Sequence, residues 1–349
     1  MLHFLRRSSP QIELLTTPST IFSRLIAEIQ RARKSVDMEF YIFDNDHIGS
    51  TLLALLCRKA RQGVVVRLLV DGYGSRGLWR HRQRLRSEGI ELHFHPLLAN
   101  VRNHRKLVII DSRAAYLGGV NIADRYVVGN SLGAWHDVQL HIRGRAVASL
   151  MALFDYDLVT ARGGTATPPG HYLSHPISLY WSEGDGGRAM EHLFLSALAT
   201  ARQEVIMATP YFFPPHTIIE QMRVTCSRGV RVRLLLPACS DSRTIDSLAC
   251  DYIARAQSFG VEVLVCREGF VHAKMMMVDN RRLILGSANL DSRSLRTNRE
   301  LMASSTEPHL CYRAKAFLQG VIARSTLPLD KELRCAIPSF IARMLCPIL

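Results

Sequence analysis

Residues 103–121 read "NHRKLVIIDSRAAYLGGVN", and residues 271–289 read "VHAKMMMVDNRRLILGSAN". Both stretches carry one frame: His, one residue, Lys, four residues, Asp, six residues, Gly, two residues, Asn. At about one in twenty for each fixed residue, a five-residue frame arises by chance in roughly one chain in ten thousand of this length. Two copies therefore mark a duplication.

The duplication extends outward on both sides. "ARKSVDMEFYIF" at 32–43 has a counterpart in "ARQEVIMATPYFF" at 201–213, and "RQGVVVRLLVDG" at 61–72 has one in "SRGVRVRLLLPA" at 227–238. Each half reads as an amphipathic helix, an apolar strand, a helix ending at Gly63 or Gly229, and a β-branched strand. A further helix then ends at "SEGIELHFH" or "SFGVEVLVC", where the glycine suits a C-terminal cap before the next strand. Strands alternating with helices predict an α/β fold with a mixed sheet flanked by helices in each half. The stretch "ARGGTATPPGHYLSHP" (161–176) is rich in Gly and Pro and reads as the connection, giving domains at 1–162 and 177–349 around a linker at 163–176.

Within the frame, residues two apart on a strand share a face, so His104 and Lys106 project together, as do His272 and Lys274. The runs "LVII" and "MMMV" continue into polar turns, and "AYLGG" and "LILGS" return as hairpins that bring Asn121 and Asn289 back beside the histidines. Seven residues of extended chain put Asp111 or Asp279 roughly 20 Å from its histidine, so both aspartates are expected to hold turns and not to act on substrate. Two histidines, two lysines and two asparagines meeting between the halves would form one site. Imidazoles can serve as nucleophile and as general acid/base, while lysines and amides hold phosphoryl oxygens. Each histidine also needs a partner to fix its tautomer. Asp137 in "AWHDVQL" and Glu300 in "SLRTNREL" are the candidates, against the plainer reading of acids on the sheet surface.

Composition sets the remaining bounds. The 349 residues are 48% hydrophobic, enough for a sizeable core and inconsistent with a disordered chain. The net charge of +14 predicts an anionic partner, either nucleic acid or an anionic lipid surface. The eight cysteines have no metal-ligand spacing and read as reduced core residues of a cytosolic protein, and no acidic cluster suggests a metal. No signal peptide and no span of about 20 apolar residues is legible, so membrane contact is expected to be peripheral, on the cytoplasmic side. "SRGLWRHRQRLRSEG" (75–89), with Trp79, Arg80, Arg82 and Arg84, has the composition of a basic interfacial helix or of a solvated one. Leu97, Leu98 and Val101, and the apolar C-terminal "IPSFIARMLCPIL", are further candidates for contact with lipid, the last also for core packing.

The duplicated frame resembles the signature of the phospholipase D superfamily. Within it, "MEFYIFDND", "LLVDGYGSRG", "GGVNIADRY" followed by "WHD", "TPYFFPP" and "GSANLDSRSLRTNRE" resemble the bacterial cardiolipin synthases, and the resemblance covers almost the whole chain. It implies two domains related by a pseudo-twofold axis with the active site at their interface, and no cofactor. It also implies ping-pong phosphatidyl transfer. His104 would attack the phosphorus of one phosphatidylglycerol, His272 would protonate the departing glycerol, and a second phosphatidylglycerol would then take the phosphatidyl group to give cardiolipin. The symmetric frames alone permit the reverse assignment. Partners would be anionic phospholipids, with nucleic acid not expected. Gly119 stands where the second copy has Ser287, which predicts a hydroxyl contact to phosphate on one side only. Many cardiolipin synthases begin with two membrane helices, for which this sequence shows no counterpart. A phospholipase using water, a nuclease and a non-catalytic lipid-binding scaffold are the alternatives. The nuclease lacks interleaved aromatic stacking positions, and the scaffold would be expected to have lost a His or Lys of the frames.

Overall fold

The computed structural model describes residues 12–96, 100–184 and 186–329. In chain order the first half contains β1 (Ile12–Leu15), α1 (Pro18–Arg31), β2 (Ser35–Phe40), α2 (His47–Arg61) and β3 (Val65–Asp71). A 3-10 turn at Arg76–His81 leads to α3 (Arg82–Ser87), β4 (Ile90–His95), β5 (Lys106–Ile110) and β6 (Ala114–Gly118). α4 (Arg125–Val128), β7 (Trp135–His136), β8 (Gln139–Arg143) and α5 (Ala146–Ala161) complete it. The second half runs β9 (Tyr172–Leu173), β10 (Ile177–Trp181), α6 (Ala189–Thr200), β11 (Glu204–Ala208), β12 (Phe212–Phe213), α7 (His216–Ser227) and β13 (Arg231–Pro237). It continues with α8 (Arg243–Ser258), β14 (Glu262–Cys266), β15 (Phe270–Val271), β16 (Met275–Val278) and β17 (Arg282–Gly286). β18 (Leu290–Asp291), α9 (Ser292–Arg296), β19 (Leu301–Ser305), α10 (Pro308–Ala323) and β20 (Ser325–Thr326) follow.

The first sheet is ordered β1-β8-β6-β5-β2-β3-β4, and the second contains the matching order β10-β19-β17-β16-β11-β13-β14, with β9 and β20 added at its edges. The frame supplies the central hairpin of each sheet. Its apolar runs are buried on both faces because each sheet lies between two packed layers. Leu107 and Ile109 join Met275, Met277 and Leu285 in a core shared by the two halves, together with residues of α5 and α10. The alternate residues Val108 and Ile110 face a second core with α1 and α2, while Met276 and Val278 face a third with α6 and α7. Strand alternation thus builds a layered molecule whose halves share a dry middle.

Both hairpin turns use the motif aspartate. Asp111 and Ser112 have φ of 52° and 56°, and Asp279 and Asn280 have 50° and 55°, the left-handed pair that a tight hairpin of this type needs. Each such residue costs roughly 1–2 kcal/mol. The carboxylates offset this: Asp111 accepts from the backbone N–H groups of Arg33, Lys34 and Ser35, and Asp279 from those of Arg202, Gln203 and Glu204. These bonds hold both carboxyls below their ordinary range against the upward push of burial.

The basic stretch 75–89 is a 3-10 turn followed by the short α3, and not one continuous interfacial helix. Leu78 and Leu85 are buried, and Trp79 stacks on Phe94 with ring centroids 4.3 Å apart while its indole N–H donates to the Gly72 carbonyl. The side chains of Arg80, Arg82 and Arg84 are exposed. Leu97, Leu98 and the C-terminal apolar segment lie outside the described residues. No described helix is long and apolar enough to cross a membrane.

Candidate active site

Two short parallel pairings stitch the halves together at the site. β7 pairs with β15, and the backbone N–H of His272 donates to the His136 carbonyl at 2.9 Å. On the other side the segment Arg102–His104 runs beside Arg299, with the His104 N–H donating to the Arg299 carbonyl at 2.9 Å. Each motif histidine therefore stands just before its strand begins, anchored to the stretch of the opposite half that carries a carboxylate.

The carboxylates cross in the same way. The Nδ1–H of His104 donates to Glu300, 2.9 and 3.1 Å from its two oxygens, and that of His272 donates to Asp137 at 2.6 Å. An acceptor-only carboxylate fixes the proton on Nδ1 and leaves Nε2 of each ring for chemistry. Burial holds His104 down at about 4, against the pull of Glu300 and aided by Lys106, and holds His272 at about 3, aided by Lys274. Both imidazoles are thus neutral near pH 7. Glu300 stays ionised: burial would raise it, but His104 and Lys106 lower it further.

Both histidines, Asn121 and Asn289 line one cavity of about 590 Å³ between the halves. The lysines lie behind this surface, fully buried. Lys106 donates to the His104 carbonyl; Lys274 donates to the His272 carbonyl and sits 2.8 and 2.9 Å from the two ring nitrogens of that histidine. Burial lowers both ammonium groups, Lys274 to about 8. Their charge acts on the cavity across the histidines, where a low dielectric carries it further than water would.

The expected phosphate contact of Ser287 is not what the structure shows. Its hydroxyl is buried, donates to Glu300 and accepts from the Leu301 N–H, so it steadies the carboxylate. Gly119 has a different reason: a Cβ there would stand 2.3 Å from an Asp137 oxygen. Glycine makes room for the shorter acid in one half, and serine holds the longer acid in the other.

The frame leaves several cavity residues unmarked. Arg125 and Arg293 both line the cavity, and each stands four residues after its motif asparagine, so extending the repeat by four residues would have found them. Arg102 adds a third guanidinium, stacked over Tyr73 at 5.1 Å. Tyr41 lies edge-on to His104, and Tyr126 and Trp135 pack against His272. No sequence periodicity marks these aromatics, because Tyr41 stands just past β2 and Tyr126 and Trp135 lie on α4 and β7, elements of four and two residues.

The family described as "Cardiolipin synthase, PLD-like domain" matches twice, at residues 25–151 and 194–321, once in each half. The chain belongs to the cardiolipin synthase family of the phospholipase D superfamily. It is 31% identical to a cardiolipin synthase of Geobacillus kaustophilus over 97% of this chain and 72% of that protein. It is 33% identical to cardiolipin synthase 2 of Bacillus cereus over 83% of this chain and 60% of that protein, and 32% identical to cardiolipin synthase A of Pseudomonas putida over 97% and 75%. The chain thus spans between 60% and 75% of the length of these relatives. Among solved structures, a phosphatidylserine synthase from Haemophilus influenzae superposes with a TM-score of 0.78 over 97% of this chain and 93% of the other, at 15% identity. That likeness shows the fold. Membership of the family makes the protein a phosphatidyltransferase-type enzyme.

Proposed function

We propose that the protein makes cardiolipin by transferring a phosphatidyl group from one phosphatidylglycerol to another. The observation that carries this reading is the pair of neutral imidazoles in one cavity, each held at Nδ1 by a carboxylate from the opposite half. In the first step His104 Nε2 attacks phosphorus, the bond to the glycerol oxygen breaks, and His272 gives that oxygen a proton. The entering phosphodiester anion raises His272 toward the protonated form that this needs. In the second step a hydroxyl of the next phosphatidylglycerol loses its proton to His272 and attacks the phosphohistidine, and His104 leaves. The lysines, with Arg102, Arg125 and Arg293, offset the charge on the phosphoryl oxygens. The relatives named as cardiolipin synthases support the choice of lipid, and conversion of one lipid into a dimeric product suits a cavity built from two equivalent halves.

The enzyme works at an anionic lipid surface as a peripheral protein on its cytoplasmic face. Exposed Arg76 lies 5.9 Å over the ring of Tyr73, which lines the cavity, and the exposed Arg80, Arg82 and Arg84 follow it along the chain; this basic run is complementary to phosphatidylglycerol headgroups. Incubation with phosphatidylglycerol vesicles tests the whole proposal. Cardiolipin with an equimolar amount of glycerol is expected. Phosphatidic acid as the sole lipid product would instead make water the acceptor, and absence of both products would leave the nuclease and scaffold readings.

A further inference from the structure

The two histidines have different neighbours at the reacting nitrogen. The Tyr126 hydroxyl lies 3.4 Å from His272 Nε2 and accepts a hydrogen bond from the Asn121 amide at 2.6 Å. With its oxygen engaged by Asn121, the phenol proton is directed toward Nε2 or toward an oxygen lodged beside it. The ring is buried edge-on against His272 and Trp135, at centroid distances of 5.1 and 4.7 Å, so the hydroxyl has a fixed address. Its backbone is clamped as well. The preceding Asp124 accepts from the N–H groups of His47 and Ile48 and donates its own N–H to Asp46, tying α4 to the start of α2.

The pseudo-equivalent residue in the other half, five positions after Asn289, is Ser294. Its hydroxyl turns back to Asp291 at 3.3 Å. Among the described residues no hydroxyl lies within hydrogen-bonding distance of His104 Nε2; Tyr41 meets that ring by an edge contact at 5.1 Å. A hydroxyl donor beside one Nε2 and none beside the other is an arrangement that a symmetric pair of acid/base groups would not need.

Resting on the phosphatidyl-transfer reading above, we infer that Tyr126 is a positioning residue for the alcohol: its hydroxyl holds the oxygen of the departing glycerol, and then of the incoming lipid hydroxyl, against His272 Nε2. The incoming hydroxyl gives its hydrogen bond to the unprotonated Nε2, which Lys274 Nζ also approaches at 2.9 Å, and accepts one from Tyr126, whose own oxygen accepts from Asn121. As the alcohol oxygen bonds to phosphorus and the phosphorus–His104 bond breaks, the alcohol proton passes to His272 Nε2 and the phenol keeps its own. A chain of aligned donors strengthens each member. The hydroxyl acts on the alcohol oxygen alone, so the attack of His104 on phosphorus does not depend on it when the leaving group needs no proton.

That division is what an experiment can read. In p-nitrophenyl phosphatidate the leaving group is a weak base that departs without a proton donor, so the release burst reports attack by His104, and the later steady phase reports attack by the alcohol. With this donor and phosphatidylglycerol vesicles as acceptor, Tyr126→Phe is expected to keep the wild-type burst rate while the steady phase slows by about tenfold, the size of one directed hydrogen bond. With phosphatidylglycerol as donor and acceptor, the same variant is expected to lower kcat by about tenfold. Equal slowing of burst and steady phase would reduce Tyr126 to a packing residue and overturn the assignment, as would a steady phase left unchanged. A wild-type protein that gives a burst but no cardiolipin would overturn the proposed function itself, an outcome distinguishable because it does not depend on the variant.

Discussion

The two halves of the active site perform the same local task with different side chains. Around His104 stand Glu300, the Ser287 hydroxyl that holds it, and the edge of Tyr41; around His272 stand Asp137, the space left by Gly119, and the Tyr126 hydroxyl. The carboxylate-to-Nδ1 bond is common to both, so orientation of an imidazole is the shared requirement. What differs is what meets Nε2 and how the carboxylate is supported. Duplication accounts for the shared geometry, and the halves diverge at a few contacts.

Removing either ring should have the largest effect. His104→Ala and His272→Ala are each expected to lower cardiolipin synthesis by about 10⁶-fold, since residues that act as a unit fail together. Assay with radiolabelled phosphatidylglycerol checks this, and substantial product from either variant would break the two-histidine comparison. Glu300→Gln and Asp137→Asn keep shape but lose the charge that fixes each tautomer. Their expected cost is up to about 10⁴-fold in kcat, and an unequal pair of values would measure the asymmetry directly.

Exchanging the supports probes a finer distinction. Gly119→Ser places a Cβ on Asp137 and is expected to lower kcat by about 10²-fold through displacement of that acid, whereas Ser287→Gly removes one hydrogen bond from Glu300 and should cost about tenfold. If the serine were well tolerated at position 119, the packing argument for that glycine would fail.

The pH profile follows from the buried groups. His104 is held at about 4 by burial, so the nucleophile stays neutral as pH falls through 6.5, and the acidic limb should lie well below that value. Lys274, lowered by burial to about 8, is charged below that pH and neutral above it, so the rate should fall as pH rises through about 8. A kcat/KM profile checks both limbs, and Lys274→Arg should move the alkaline limb upward if that ammonium sets it. The smallest effect on chemistry belongs to the turn aspartates. Asp111→Ala and Asp279→Ala each lose three backbone hydrogen bonds to a carboxylate and should lower unfolding free energy by about 3 kcal/mol in denaturant titration, with kcat of the folded protein near wild type.

Much of this was legible without coordinates, because a duplicated frame is a local pattern. Spacing placed His and Lys on one side of a hairpin and the aspartates at its far end, and the unbroken apolar runs "LVII" and "MMMV" marked buried strands. Asp137 and Glu300 stood out as acids near the frames. Their pairing across the halves did not, since it depends on β7 meeting β15 and Arg299 meeting Asn103, contacts between residues more than a hundred positions apart. The Ser287 hydroxyl was assigned to phosphate for the same reason: sequence shows a hydroxyl in a motif but not which neighbour satisfies it.

Local pattern was enough for the repeated α/β halves, the reactive residue types and the two hairpins, because periodicity and turn chemistry act over a few residues. Which carboxylate serves which histidine, why position 119 is glycine, and the placing of a tyrosine hydroxyl at Nε2 of His272 and, among the described residues, not at that of His104 are settled in three dimensions. Those depend on how two buried surfaces meet, where a contact of a few ångströms sets charge and tautomer and no local pattern encodes the partner.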